Sequence, residues 1–151
     1  MTLPLPIIDA HHHLWDLETG SYPWLNGDKQ VDFRYGDYSA IRRDYLYDDF
    51  RGDAANQNVV KSVHMEAEWN RADPVAESRW LTGYAQTHDL PSAIVAQAWL
   101  DREDVADILA AHAALDLVRG VRQKPNAASR PEDFIAAAPG SMADPRFREG
   151  Y

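Results

Sequence analysis

Three consecutive histidines, His11, His12 and His13, follow a short apolar run that ends in Asp9-Ala10. Side chains in a strand alternate between faces, so Asp9, His11 and His13 share one face and His12 turns to the other. Two imidazoles two residues apart on one face can chelate one divalent ion, and neutral imidazole suits Zn, Fe, Co or Mn. A catalytic site built this way needs at least one more protein ligand and an open position for water. The plain alternative is three histidines that only line a loop.

A second polar set lies in VVKSVHMEAE, residues 59–68. By strand alternation His64, Glu66 and Glu68 share a parity opposite to Val63 and Met65. A buried polar face of this kind makes sense where it lines a polar cavity or a ligand. The alternative is two glutamates solvated at an exposed strand end. The run LVRGVR, residues 117–122, ends in Arg122, with Arg119 three residues earlier. A guanidinium at a strand end can clamp a carboxylate with two hydrogen bonds; it can equally pair with one of the chain's 24 acidic residues. Trp15, Tyr22, Trp24, Tyr35 and Tyr38 crowd the stretch after the histidines and could wall a substrate pocket or simply pack. His88 and His112 fall within or at the ends of helical stretches and read as structural.

The elements that must position these residues alternate along the chain. Residues 5–10, 59–66, 93–100 and 117–122 read as strands, and AIVAQAWL at 93–100 is nearly all apolar, as for a strand covered on both faces. Asp73-Pro74 opens a helix predicted to run to about His88 with Ala76, Trp80, Tyr84 and Ala85 along one side. Residues 102–115 carry Val105, Ile108, Leu109, His112 and Leu115 at helical spacing. Residues 38–57 are partly helical, and a further helix begins near Asp144. Strands alternating with helices predict an α/β fold with a parallel sheet. Four strands can make a doubly wound sheet, whereas a closed (β/α)8 barrel needs eight, in roughly 250 residues.

With 151 residues and 17.1 kDa, the chain amounts to one domain at most. Its formal net charge of -9 argues against a broad nucleic-acid or anionic-membrane surface, which would need clustered Lys and Arg. The absence of cysteine removes disulfides, thiolate metal sites and a cysteine nucleophile. The first residues lack a basic segment followed by a long apolar one, so no signal peptide is expected. A cytoplasmic location and a small-molecule substrate are the expectation by elimination.

Together these segments resemble the amidohydrolase-2 family, metal-dependent hydrolases of TIM-barrel fold that include lactonases. IIDAHHHLWD resembles the strand-one motif, in which His-x-His ends the strand and a Trp typically follows. YPWL at 22–25, HMEAEW at 64–69 and RGVRQ at 119–123 resemble further segments in the same order and spacing. The relatives suggested are sugar-lactone and dicarboxylate-lactone hydrolases. The resemblance implies His11 and His13 as ligands of a divalent metal, zinc first and manganese as an alternative, although some lactonases of this kind work without a tightly held metal. It implies Glu66 as an acid near metal or substrate, and Arg122 as the holder of a substrate carboxylate or carbonyl oxygen. Trp15, Trp24 and His64 are expected to contact substrate. Family chains are about twice this length, so residues 1–151 would be the N-terminal half of one barrel domain, its first four βα units. A further metal-site histidine and the general-base aspartate would then belong to the other half. Two alternatives stay open: a non-catalytic half-barrel that needs a partner chain or associates through its open edge, and a decarboxylase on the same scaffold.

Overall fold

A computed structural model describes residues 5–28, 31, 36–128 and 130–151. Tyr35, expected among the pocket aromatics, lies outside the described residues. The strands are β1 (Ile7–His12), β2 (Val59–Met65), β3 (Ala93–Gln97) and β4 (Val118–Arg122). They form one sheet in the order β1-β2-β3-β4, every neighbouring pair parallel. Strand order follows chain order without reversal. A doubly wound sheet reverses at a switch point, and this sheet has none. Right-handed crossovers, repeated in one direction, put successive helices on the same face.

The helices are α1 (Tyr47–Asp53), α2 (Ala76–Tyr84), α3 (Val105–Ala113) and α4 (Pro145–Gly150). Asp49 starts α1 by reaching back to the Leu46 amide at 3.0 Å, the carboxylate half of a capping box. Asp144 caps α4, accepting from the Arg146 amide at 3.0 Å. The main core lies between sheet and helices and holds Leu14, Phe50, Leu81, Leu90, Ile94 and Ala96. Full burial of a side chain such as Leu81 contributes about 1.5–3 kcal/mol.

Several local expectations change: β3 stops at Gln97 and not Leu100, α2 ends at Tyr84 and not near His88, and α3 spans Val105–Ala113 within the expected 102–115. β1 runs on through His12 instead of stopping at Ala10, because β2 supplies partners as far as His12↔His64. It is an edge strand, which leaves Ile8 61% exposed. α2 begins at Ala76, not at Asp73, whose side chain turns out toward Arg79. Its buried line is Glu77, Ser78 and Leu81, with Trp80 and Tyr84 packed at the margin. The helix is thus rotated toward residue 77, whose carboxylate is needed inside the fold. Beyond Met65 the strand alternation ends, and Glu68 adopts φ 60, in the left-handed region. His64 and Glu66 therefore do not share a face, although two residues apart. No described helix is long and apolar enough to cross a membrane.

Candidate functional site

The C-terminal ends of the parallel strands are where the side chains of interest gather. His13 follows β1 directly, and its Nδ1 lies 2.7 Å from the Met65 carbonyl at the end of β2. A carbonyl only accepts, so Nδ1 carries the proton and Nε2 keeps its lone pair. Burial, reinforced by His64, pushes the His13 pKa down to about 4, so the ring is neutral at pH 7. The His11 ring stands edge-on to it with centroids 5.2 Å apart.

Both tryptophans of the first loop are tied down by their indole N–H groups. Trp15 donates to the Arg43 carbonyl at 2.7 Å, and Trp24 to the Ala67 carbonyl at 2.8 Å. Backbone bonds in both directions between Trp15 and Tyr45 pin the loop's start. The two indoles meet edge to face at 5.9 Å.

Glu66 and Arg122 form the charged centre. Arg122 Nε donates to Glu66 Oε1 at 2.6 Å, and Nη2 donates to the Glu66 carbonyl at 2.8 Å. Glu66 Oε2 accepts from the Glu68 amide at 2.8 Å. Burial raises the Glu66 pKa, and the Arg122 charge opposes that rise. Two donor groups of Arg122 are thereby committed to Glu66. Lys124 pairs with Glu68 at the rim.

His13, Trp15, Trp24, Glu66 and Arg122 line one cavity of about 460 Å³. A second cavity of about 710 Å³ adjoins it across Trp24, Glu66 and Arg122 and extends to Trp69, Gln97 and Trp99. His11 and His64 line neither. His64 is fully buried on the helix side, where its Nδ1 accepts from the Leu14 amide at 3.2 Å. That bond leaves the proton on Nε2, which lies 3.4 Å from Glu77 Oε1. The Glu77 carboxylate also accepts from the Ala67 amide at 3.0 Å. Burial pushes Glu77 up to about 8 and His64 down to about 3. His12 packs on Phe50 with centroids 4.6 Å apart, away from its neighbours His11 and His13. His112 holds the Gln97 carbonyl at 2.9 Å, and His88 stacks on Tyr84, both structural as expected.

Sequence reasoning missed Glu77 and Gln97. Each had a signal: Glu77 sits three and four residues before Trp80 and Leu81 on the helix's apolar side, and Gln97 is the one polar residue of AIVAQAWL.

Two imidazole donors suit a divalent metal in type, and the His13 tautomer presents Nε2 correctly. Among the described residues no group of three His, Cys, Asp or Glu is gathered for a metal. The His11–His13 pair is thus one ligand short of the three that a catalytic zinc takes from protein.

No family model matches the chain. It is 40% identical over 147 residues to the uncharacterized protein y4mH of Sinorhizobium fredii, covering 97% of this chain and 49% of that protein. The chain therefore spans about half the length of the curated relative it matches. Among solved structures it is similar to an amidohydrolase from Burkholderia multivorans crystallised with bound zinc. The TM-score is 0.54 at 20% identity, covering 95% of this chain and 43% of the other. At that identity the likeness is one of fold.

Proposed function

We propose that this chain is part of a hydrolase of the amidohydrolase superfamily that opens a lactone ring. One observation carries the reading: His13, Trp15, Trp24, Glu66 and Arg122, drawn from three strand ends and one loop, converge on a single cavity. The fold likeness to a zinc-bound amidohydrolase supports it.

His11 and His13 would hold a divalent metal, zinc in the first instance, with a further ligand from outside the described residues. When bound, such an ion polarises a carbonyl and lowers the pKa of water. The chain's own residues bind and orient. Trp15 and Trp24 wall the ring and exclude water from it. The Arg122 edge not engaged by Glu66 faces a carbonyl or carboxylate oxygen of the substrate. Glu66 keeps Arg122 in place and supplies the negative charge nearest the reacting group.

The test is a pH-stat assay over a lactone panel with zinc or manganese supplied. Lactone opening near neutrality releases one proton per ring and no carbon dioxide, whereas decarboxylation releases gas. His13→Ala should remove most turnover and weaken zinc binding by about 10–100-fold or more. Turnover unchanged in His13→Ala would sink the assignment.

A second reading is favoured by the missing third ligand and by the half-length match to the relative. Here the chain holds metal and ligand weakly and turns over only with a partner chain. Sedimentation velocity separates the two, since an active monomer rules out the partner requirement.

A further inference from the structure

Just past β2 the backbone passes from strand to loop, and side chains take over its hydrogen bonds. The Glu66 amide still donates to the Val95 carbonyl of β3 at 2.9 Å. The next peptide, Glu66–Ala67, is gripped at both ends. Its carbonyl accepts from Arg122 Nη2 at 2.8 Å, and its N–H donates to the Glu77 carboxylate at 3.0 and 3.3 Å. The peptide after it, Ala67–Glu68, is gripped likewise. Its carbonyl accepts from the Trp24 indole and its N–H donates to Glu66 Oε2, both at 2.8 Å. Glu68 then adopts φ 60. A residue other than glycine keeps that conformation only where its surroundings impose it, and such residues cluster at functional sites.

Three of the four side chains in this grip, Arg122, Trp24 and Glu66, line both cavities. Glu77 is the exception. It sits in the first turn of α2, 1% exposed, on the helix side of the sheet. An acid in a first turn favours the helix dipole equally well from the surface. Turned inward, the carboxyl loses its hydration and has no cation in contact among the described residues. An apolar side chain would avoid that cost. The inward placement is explained by what the carboxyl holds.

We infer that Glu77 is a positioning residue of the candidate site, which from behind the sheet fixes the Glu66–Ala67 peptide and so sets where Trp24 and Arg122 stand in the cavity. Glu77 touches no ligand and acts only through this backbone. The inference rests on the reading of the cavity as the substrate site.

The test compares two variants of the 151-residue chain. Glu77→Leu removes the acceptor, and Glu77→Gln keeps one oxygen for the Ala67 amide. Each is also combined with Trp24→Phe, so that the Trp24 contribution to acrylamide quenching of fluorescence is obtained by difference. Glu77→Leu should make Trp24 more readily quenched, and Glu77→Gln should restore the native signal. In the pH-stat assay Glu77→Leu should lower kcat/KM by about 10–100-fold, with Glu77→Gln recovering most of it. The loss should shrink when Trp24→Phe is already present, because both residues act through the same pair of peptides. A merely structural role predicts a lower urea midpoint, with the Trp24 signal and the kcat/KM of folded protein unmoved. That result overturns the inference, as does an equal effect of Glu77→Leu and Glu77→Gln. If Glu77→Leu does not fold, Glu77→Asp, too short to reach the amide, takes its place. Amide exchange in the native chain adds a check without any variant: an Ala67 N–H exchanging as fast as an exposed loop amide overturns the inference. Lactone opening with Trp24 and kcat/KM unmoved in Glu77→Leu refutes the positioning role alone. A Glu77-dependent Trp24 signal without ring opening leaves that role standing and removes the hydrolase.

Discussion

Glu66, just past the end of β2, and Glu77, on α2, are both buried carboxylates, one on the cavity side of the sheet and one on the helix side. Glu66 has Arg122 at 2.6 Å. Among the described residues Glu77 has no cation in contact; its polar neighbours are the Ala67 amide, His64 and the Tyr22 hydroxyl. Burial raises both pKa values, and without a guanidinium the Glu77 carboxyl climbs to about 8. The Arg122 charge opposes the rise at Glu66 on the cavity side. The other carboxylate holds the Ala67 amide and so fixes the backbone beside Glu66, while His64 next to it accepts from the Leu14 amide beside His13.

The contrast breaks most sharply at Arg122. Arg122→Met strands a buried charge and should cost about 3–5 kcal/mol, read from the midpoint of urea unfolding. Adding Glu66→Leu should recover most of that loss, because removing both charges is far milder than removing one. A single variant as stable as the native chain would erase the distinction.

Glu77 gives the next effect, and its sign is set by linkage. The folded carboxyl holds its proton more tightly than the unfolded one, whose pKa is near 4.5. Its contribution is therefore complete below about 4.5 and is lost as pH rises through about 8. Thermal unfolding scanned from pH 6 to 9 should show a declining Tm that flattens in Glu77→Gln. A parallel decline in both proteins would deny Glu77 the raised value. His64 carries the opposite sign: its folded pKa is near 3 against 6.5 unfolded, so its contribution is present above 6.5 and fades as pH falls. The same scan of Glu77→Gln extended to pH 4, where the opposing Glu77 contribution is gone, should show Tm dropping on the acid side.

The smallest effect belongs to a pair outside both regions. Arg79 and Asp73 lie 3.4 Å apart with side chains 58% and 57% exposed. Arg79→Ala should move stability by less than about 0.5 kcal/mol, which calibrates how much burial matters to the first two results.

Much of this arrangement was legible from residue order. Parallel strands separated by helices followed from period and punctuation. The positions of His13, Glu66 and Arg122 at strand ends put them near one another in any parallel sheet. Alternation failed only where the strand itself stopped: beyond Met65 parity no longer assigns a face, so His64 went to the helix layer and Glu66 to the cavity. Glu77 and Gln97 escaped for a different reason. Their roles depend on which backbone groups of other elements lie opposite them, and no local pattern encodes that long-range register.

The strand order has a further consequence, in time instead of space. Leu100 reaches Gln123 across 23 residues and Ser62 reaches Ser92 across 30, but His13 reaches Met65 across 52. Closing the longest of these loops costs about 0.7 kcal/mol more than closing the shortest. The β3–β4 end is thus favoured to form first, and the histidine-bearing edge joins last. Any ligand held by His11 and His13 would therefore act on the strand that joins the sheet last.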